Sequence, residues 1–377
     1  VLAKVVHIST VHSPHDPRIY YKQCRTLAQA GFDTTLIIPE GEASLPQDDA
    51  GVKILPLPRT FSRWQRLELQ PRILREAKAL EADIYHFHDP ELLLLGRQLK
   101  HRNNIVIYDI HEDYETAMAQ KQYIPKLLVP GMALAYRFTT KLLTRKMELC
   151  LAEKYYKEKF PRGRCILNYT LLSGRVPPPG SPIPRLLYTG NVTPERGALI
   201  HATLPQLNPA VGVDFIGRCS QEVADKIYQQ AGEARNRISI TGIQRYIPWK
   251  KVEAATISRR WLAGLALFPP SAHYRRKELT KFFEYMYAEI PILCSDFPQW
   301  RALVEHYDCG LVVDPTDYQA MAAALQYLLD NPHRGLEMGR NGRRAIEQDL
   351  NWEAQGRELV AWYTELLNRT RPAPSTH

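Results

Sequence analysis

Hydrophobic positions along the chain fall in short β-branched runs. Each run is followed by a polar or Gly/Pro loop, and then by apolar positions at helical spacing. Residues 5–8 (VVHI) are a buried strand by this pattern, 20–30 a helix stopped by Gly31, and 34–38 the next strand. Runs at 52–57, 83–87 and 105–109 continue the series, with helical patterns at 65–80 and 91–101 between them. Such alternation predicts parallel βαβ units. Segment 175–184 (RVPPPGSPIP) holds five prolines and no helical period, the composition of a stiff linker. Beyond it the alternation restarts, with strands expected at 185–189, 211–216, 238–241, 265–268, 292–295 and 311–313. The stretch 351–369 (NWEAQGRELVAWYTELLNR) is an amphipathic helix pattern. Two α/β halves joined by a hinge are therefore expected, with a cleft between two sets of strand-end loops.

The 377 residues allow two to three domains, and the 45% hydrophobic and 24% charged fractions exclude disorder as the main state. A net charge of +9 favours an acidic partner: nucleic acid, an anionic membrane surface or a phosphorylated ligand. Nucleic acid is set aside, because no recognition helix, stacking platform or RNA-binding motif accompanies the charge. Six scattered cysteines without a C-x-x-C pair suggest reduced thiols in a cytoplasmic protein. The opening VLAKVVHIST is expected to be a first strand rather than a signal peptide. No uncharged apolar run approaches the ~18 residues of a membrane span.

Ligands of open parallel sheets sit beyond the carboxyl ends of the strands, so chemistry is sought there. Neither G-x-G-x-x-G after a strand nor G-x-x-x-x-G-K-[ST] occurs, and no D-x-D or zinc spacing is present, which argues against a metal. The first strand runs into STVHSPHDPRIY (9–20). Asp16 there suits a helix cap, but capping leaves His12, His15 and Arg18 unexplained. YHFHDP (85–90) puts His86 and His88 on one face, and either could be a core histidine. His88, Asp89 and Pro90 lie past the apolar run, where helix N–H groups attract anions or hydroxyls. YDIHEDY (108–114) adds His111 as a candidate ligand, with a solvated face as the plainer account of Glu112 and Asp113. In the second half, LYTGNVTPERG (187–197) joins a strand, the Gly190 turn and a helix start carrying Arg196, a combination that suits a diphosphate. ISITGIQ (238–244) ends a strand in a glycine turn that could lie against a flat base. Lys281 and Glu284 stand one turn apart on a helix, where an ordinary ion pair is the simpler account.

The ordered set resembles the retaining GT-B glycosyltransferases of family 4. It comprises the Asp-Pro-Arg loop, YHFHDP, YDIHEDYE, YTGNVTPERG, TKFFEYMYAEIPILCSDFPQW, GLVVDP and the NWE helix, and it spans essentially the whole chain. The resemblance implies an α/β GT-B architecture of two Rossmann-like domains. The N-terminal, acceptor-binding domain would be 1–174, joined by a C-terminal helix at 355–377. The linker would be 175–184, and the nucleotide-sugar domain 185–354. It further implies that Glu284 binds the ribose hydroxyls, that Arg196 and Lys281 hold the diphosphate, and that Ile243 and Gln244 read the base through the main chain. Gly190 and Asn191 would flank the donor, with His88 near its sugar; His88, Arg196 and Lys281 would be the catalytic set. Acceptor contacts would come from His12, Asp16, Arg18, His111 and Glu112. Three positions depart from the pattern: Arg276 replaces the first glutamate of the E-x7-E element, Leu279 replaces the glycine five before Glu284, and Asn191 replaces an arginine. Glu278 or Asp296 could supply the missing carboxylate. Among family members the chain is most similar to bacterial exopolysaccharide transferases, the cyanobacterial heterocyst-envelope enzymes included.

The expected reaction is metal-independent transfer, with retention, from a UDP-sugar (UDP-glucose first) to a glycan or lipid-linked glycan in polysaccharide biosynthesis. No cofactor is expected. The alternative is a catalytically silent GT-B scaffold that binds nucleotide or glycan in an assembly complex. Residues 116–147 hold six basic residues (Lys121, Lys126, Arg137, Lys141, Arg145, Lys146), no acid and many apolar positions. A solvated basic face accounts for part of this. Docking on an anionic membrane from the cytoplasmic side is the functional reading.

Overall fold

Seven parallel strands make the first sheet, in the order β3-β2-β1-β4-β5-β6-β7. They are β1 (Lys4–Ile8), β2 (Asp33–Pro39), β3 (Lys53–Leu57), β4 (Ile84–Phe87), β5 (Ile105–Ile110), β6 (Glu148–Leu151) and β7 (Arg164–Cys165). The computed structural model describes residues 2–40, 45, 50–111, 129–271 and 273–370. The chain forms two units, Val1–Asn168 with Trp352–His377, and Tyr169–Asn351. β1, β4 and β5 are buried almost throughout, because both faces of a parallel sheet are covered by crossover helices. Their apolar residues lead the core, with Val6, Ile8, Phe87 and Tyr108 in one cluster. β1 pairs with both β2 and β4. The direction of winding therefore reverses between β1 and β4, and a crevice opens at their carboxyl ends. β6 and β7 are additions to the strands expected from the pattern. β7, with two residues, is too short to show a period of two.

The second sheet has the order β10-β9-β8-β11-β12-β13. Its strands are β8 (Ile183–Thr189), β9 (Gly212–Cys219), β10 (Ile238–Ile243), β11 (Trp261–Ala266), β12 (Ile292–Ser295) and β13 (Gly310–Val313). Winding reverses between β8 and β11, so the loops after these two strands meet. β11 starts four residues before the expected run at 265, since its residues from Trp261 onward are buried beside β8 and β12.

The proline-rich segment belongs to the second unit, and β8 begins inside it. The chain passes between units at Asn168/Tyr169 and returns at Asn351/Trp352. Helix Trp352–Thr370 packs within the first unit. The Trp352 indole N–H donates to Thr26 Oγ1 at 2.9 Å, and Gln355 accepts from the Leu167 amide at 2.8 Å. Among the described residues no helix is long and apolar enough to cross a membrane.

Candidate active site

The β1/β4 crevice of the first unit is lined with histidines. Asp109, on β5, receives the Arg18 guanidinium at both oxygens (2.9 and 2.8 Å) and the Gln23 amide at 3.0 Å. His88 Nδ1 lies 3.1 Å from the same carboxylate. A carboxylate only accepts, so His88 carries a proton on Nδ1, and its Nε2 is hydrogen-bonded to His7 Nδ1 at 3.0 Å. Burial alone would push the Asp109 carboxyl up, but Arg18 and His88 together hold it well below the usual range. His86 reaches the Tyr363 hydroxyl at 2.6 Å. Burial pushes His7 and His86 well below the ordinary histidine pKa, so both rings are neutral.

In front of this chain stands a second group. Asp89 accepts from the Thr10 amide at 2.6 Å and the Ser9 hydroxyl at 2.9 Å, and His12 Nδ1 lies 3.3 Å from its other oxygen. The His12 ring is 23% exposed, which marks it as the side of the cluster facing solvent. His111, just past β5, meets His12 edge-on at 4.9 Å between centroids. Its Nδ1 has no hydrogen-bond partner among the described residues. Burial, then the neighbouring His12, lowers its pKa to about 3, so at neutral pH it accepts a hydrogen bond rather than carrying charge.

These contacts revise the roles expected in this unit. Asp16 Oδ1 accepts from the Arg18 and Ile19 amides, so it caps helix Pro17–Cys24 rather than presenting itself to a ligand. Arg18 is buried, with its guanidinium spent on Asp109 and on the Ile166 carbonyl at 3.0 Å. His88 is likewise enclosed, with both ring nitrogens committed inside the fold. His12 and His111 are brought together at the strand ends, with Asp89 behind them. Glu112 lies outside the described residues. Among the described residues, two groups have the spacing of a metal site, His86–Asp109–Cys150 and His88–Asp109–His111. Both depend on Asp109, where a second cation would face the Arg18 guanidinium, so the donor set suits the ion pair better than a metal.

In the second unit three glycines stack across adjacent strand ends. Gly190, Gly217 and Gly242 have φ of +100°, +151° and +114°. A side chain on Gly217 would strike the Gly190 carbonyl, and one on Gly242 the Gly217 carbonyl. They leave a floor of bare backbone. Arg196 borders it, in the turn before helix Ala198–Leu207, with its guanidinium beside Gly190 and with Tyr188 and Tyr274 as its electrostatic neighbours. Lys281 lies in the first turn of helix Thr280–Tyr287, with Nζ 3.6 Å from the centroid of the Tyr188 ring and 5.0 Å from that of Phe268. The ammonium is buried and has no hydrogen-bond partner among the described residues. Burial, then the Arg196 charge, pushes its pKa well below the usual lysine value, with Glu284 opposing.

Lys281 thus lies over the Tyr188 ring, and Arg196 lies near the same tyrosine and beside Gly190. Tyr188 organises them and was not singled out by sequence reasoning, although it stands two residues before the glycine turn in the YTG run. Asn191 is exposed, and its carbonyl accepts from Tyr188 at 2.8 Å. Ile243 and Gln244 end β10, two strands from β8. The Gln244 amide donates to the Cys219 carbonyl at 2.8 Å. Glu284 is half-buried and lines a pocket with Trp249, Glu253, Thr256 and Tyr287. Asp296 is paired with Arg301 at 2.6 Å.

Two family models match the chain. "Glycosyltransferase Family 4" covers residues 17–152, and "Glycosyl transferases group 1" covers residues 280–345. No curated protein matches the sequence significantly. The fold is similar to that of sucrose-phosphate synthase from Thermosynechococcus elongatus, at 17% identity and TM-score 0.76 over 97% of this chain and 100% of that one. It is also similar to HepE from Anabaena in complex with UDP and glucose, at 13% identity and TM-score 0.67 over 96% and 100%. WaaG, a glycosyltransferase involved in lipopolysaccharide biosynthesis, matches at 13% identity and TM-score 0.69 over 96% and 99%. These neighbours share the architecture of two parallel-sheet, Rossmann-like domains, the GT-B fold.

Proposed function

We propose that this chain, a glycosyltransferase of GT-B fold, moves a sugar from a UDP-sugar to a glycan or lipid-linked glycan, with retention and without a metal. The observation that carries the reading is the buried Lys281 ammonium over the Tyr188 ring, with Arg196 near the same tyrosine and beside the bare backbone of Gly190. A buried ammonium without a hydrogen-bond partner is costly in the free protein, and a diphosphate oxygen is the kind of group that would complete it. The HepE structures hold UDP with glucose, or UDP-glucose, which supports UDP-glucose as the first donor to test.

In the proposed reaction the bond from the anomeric carbon to the diphosphate oxygen breaks, and its electron pair stays on that oxygen. The acceptor oxygen bonds to the same carbon from the same face, and its proton passes to the departing diphosphate. Negative charge then grows where Arg196 and Lys281 are already fixed. Preorganised donors of this kind contribute on the order of 3–4 kcal/mol each to a transition state. Glu284 is proposed to accept from the ribose hydroxyls, and His12 and His111 to position the acceptor. Proton NMR of the product formed from UDP-glucose in the presence of EDTA tests the reading. An α-anomeric product is expected. A β product would overturn retention, and loss of activity restored by manganese would overturn metal independence.

A further inference from the structure

Three helices of the first unit lie on one side of its sheet: Arg63–Ala79, Leu93–Leu99 and Val129–Leu143. They connect β3 to β4, β4 to β5 and β5 to β6, crossovers that all run in the same direction along the sheet. Right-handed crossovers put them on the same face. Helix Leu93–Leu99 packs against each of the other two, so the three form a continuous layer.

The outer side of this layer is apolar in an unusual way. On helix Val129–Leu143, Leu134, Phe138 and Leu142 recur every four residues and are exposed, Phe138 to 70%. Arg137 and Lys141 stand one position before Phe138 and Leu142 and are exposed too, and exposed Arg145 follows in the turn after the helix, so a cationic ridge runs beside the apolar one. Helix Arg63–Ala79 repeats the combination at its start: Trp64 is 77% exposed, with Phe61 and Leu67 beside it in sequence, and Arg59 stacks on the Phe61 ring at 5.1 Å. Leu94, 58% exposed, projects from the helix between them. Acids are scarce. None occurs from Val129 to Met147, Glu91 is held by Arg66 and Glu76 by Arg72, each at 2.7 Å, and Glu68 is exposed.

We propose that this face seats the first unit on an anionic lipid surface. Phe138 and Trp64 enter the headgroup region, and the flanking arginines and lysines meet the lipid charges. Charge complementarity selects this occupant: a basic, acid-poor ridge beside an apolar ridge is the pattern of an interfacial amphipathic helix. The arrangement on three helices supports it further. The apolar side chains stand as separate projections with cations between them. A bilayer interface accepts such projections without matched pockets, whereas a protein partner would need a pocket for each. The inference does not depend on the donor or stereochemistry proposed above.

The test is co-sedimentation of the full chain with vesicles of phosphatidylcholine alone or with 30% phosphatidylserine, at low and physiological salt. Binding to the anionic vesicles is expected, falling as salt rises. Replacing Arg137, Lys141, Arg145 and Lys146 together by Gln should weaken it on the order of 10³-fold, at about fivefold per basic group. Phe138→Asn and Trp64→Gln, on different helices, should each weaken it about tenfold or more, which a surface confined to one helix would not do. All substituted side chains are exposed, and an unchanged melting temperature confirms that the variants fold. Absence of binding by the parent, equal binding to both vesicles, or retention by the fourfold variant would overturn the proposal. Self-association of the parent in solution that Phe138→Asn abolishes would make the face a contact between two copies, and would overturn it equally.

Discussion

Replacing Lys281 by methionine separates a ligand-binding lysine from a core residue, because the two roles predict opposite changes. The ammonium is enclosed without a hydrogen-bond partner, and its visible compensation is the Tyr188 ring face at 3.6 Å. A desolvated cation–π contact is worth about 2 kcal/mol, against a penalty of several kcal/mol for burying an ion. The group's pKa in the folded chain is well below the lysine value, through burial first and then Arg196. Between the folded pKa and the unfolded value of about 10.4, the unfolded chain therefore binds more protons, and stability rises with pH across that window. Methionine keeps the stem and removes the ion. The unliganded variant should then be more stable by about 1–4 kcal/mol, or roughly 2–4 °C in Tm per kcal/mol for a unit of this size, and its alkaline slope should flatten. UDP affinity should move the other way, by about 1.5–3 kcal/mol for a lost charge-assisted hydrogen bond, roughly 10- to 150-fold. The parent should also take up a proton on binding UDP above the lowered pKa. Scanning calorimetry, with titration calorimetry in two buffers of different ionisation enthalpy, measures all of these. A variant that melts below the parent and binds UDP equally well would make Lys281 a structural residue and refute the reasoning.

Glu284→Ala should weaken UDP and uridine alike, by about 1.5–3 kcal/mol in titration calorimetry, because the ribose is common to both. Arg196→Ala should weaken UDP but leave uridine nearly unchanged. Asp109→Asn leaves the Arg18 guanidinium buried without its counter-ion, and should cost the first unit about 3–5 kcal/mol in urea unfolding. His7 and His86 have folded pKa values below the unfolded 6.5, so their contribution is fully present above that pH and is lost as pH falls toward the folded values. The Tm of the parent should therefore decline from about pH 6.5 downward, and His86→Gln should shallow that slope. His111→Ala should raise the acceptor KM about tenfold, the value of one hydrogen bond, with little change in Tm.

Much of the fold was legible from period alone. β1, β2, β4, β5 and β12 coincide with the apolar runs to within a residue or two, because a parallel strand covered on both faces leaves a continuous hydrophobic signature. β6 was hidden by the basic stretch before it, and β7 by its length of two residues. The proline-rich run at 175–184 lies inside the second unit, where β8 begins within it. It did not mark the division between units, which falls earlier, where contacts rather than residue types change partners.

By itself the sequence determined the alternation of strands and helices, and the concentration of His, Asp, Arg and Lys at strand ends, since both depend on local spacing. Only the tertiary structure decided which of those groups face a ligand and which face one another. Arg18 and Asp109 are 91 residues apart, and His7 and His88 are 81 apart, yet strand order brings each pair into a single buried chain of hydrogen bonds. The same order places Tyr188 of β8 under Lys281, from a helix nearly a hundred residues later, and leaves that ammonium buried without a hydrogen bond. Periodicity is a property of neighbours along the chain. Desolvation and charge pairing depend on neighbours in space, which is why His88 and Arg18 look like site residues in the sequence and turn out to be committed within the fold.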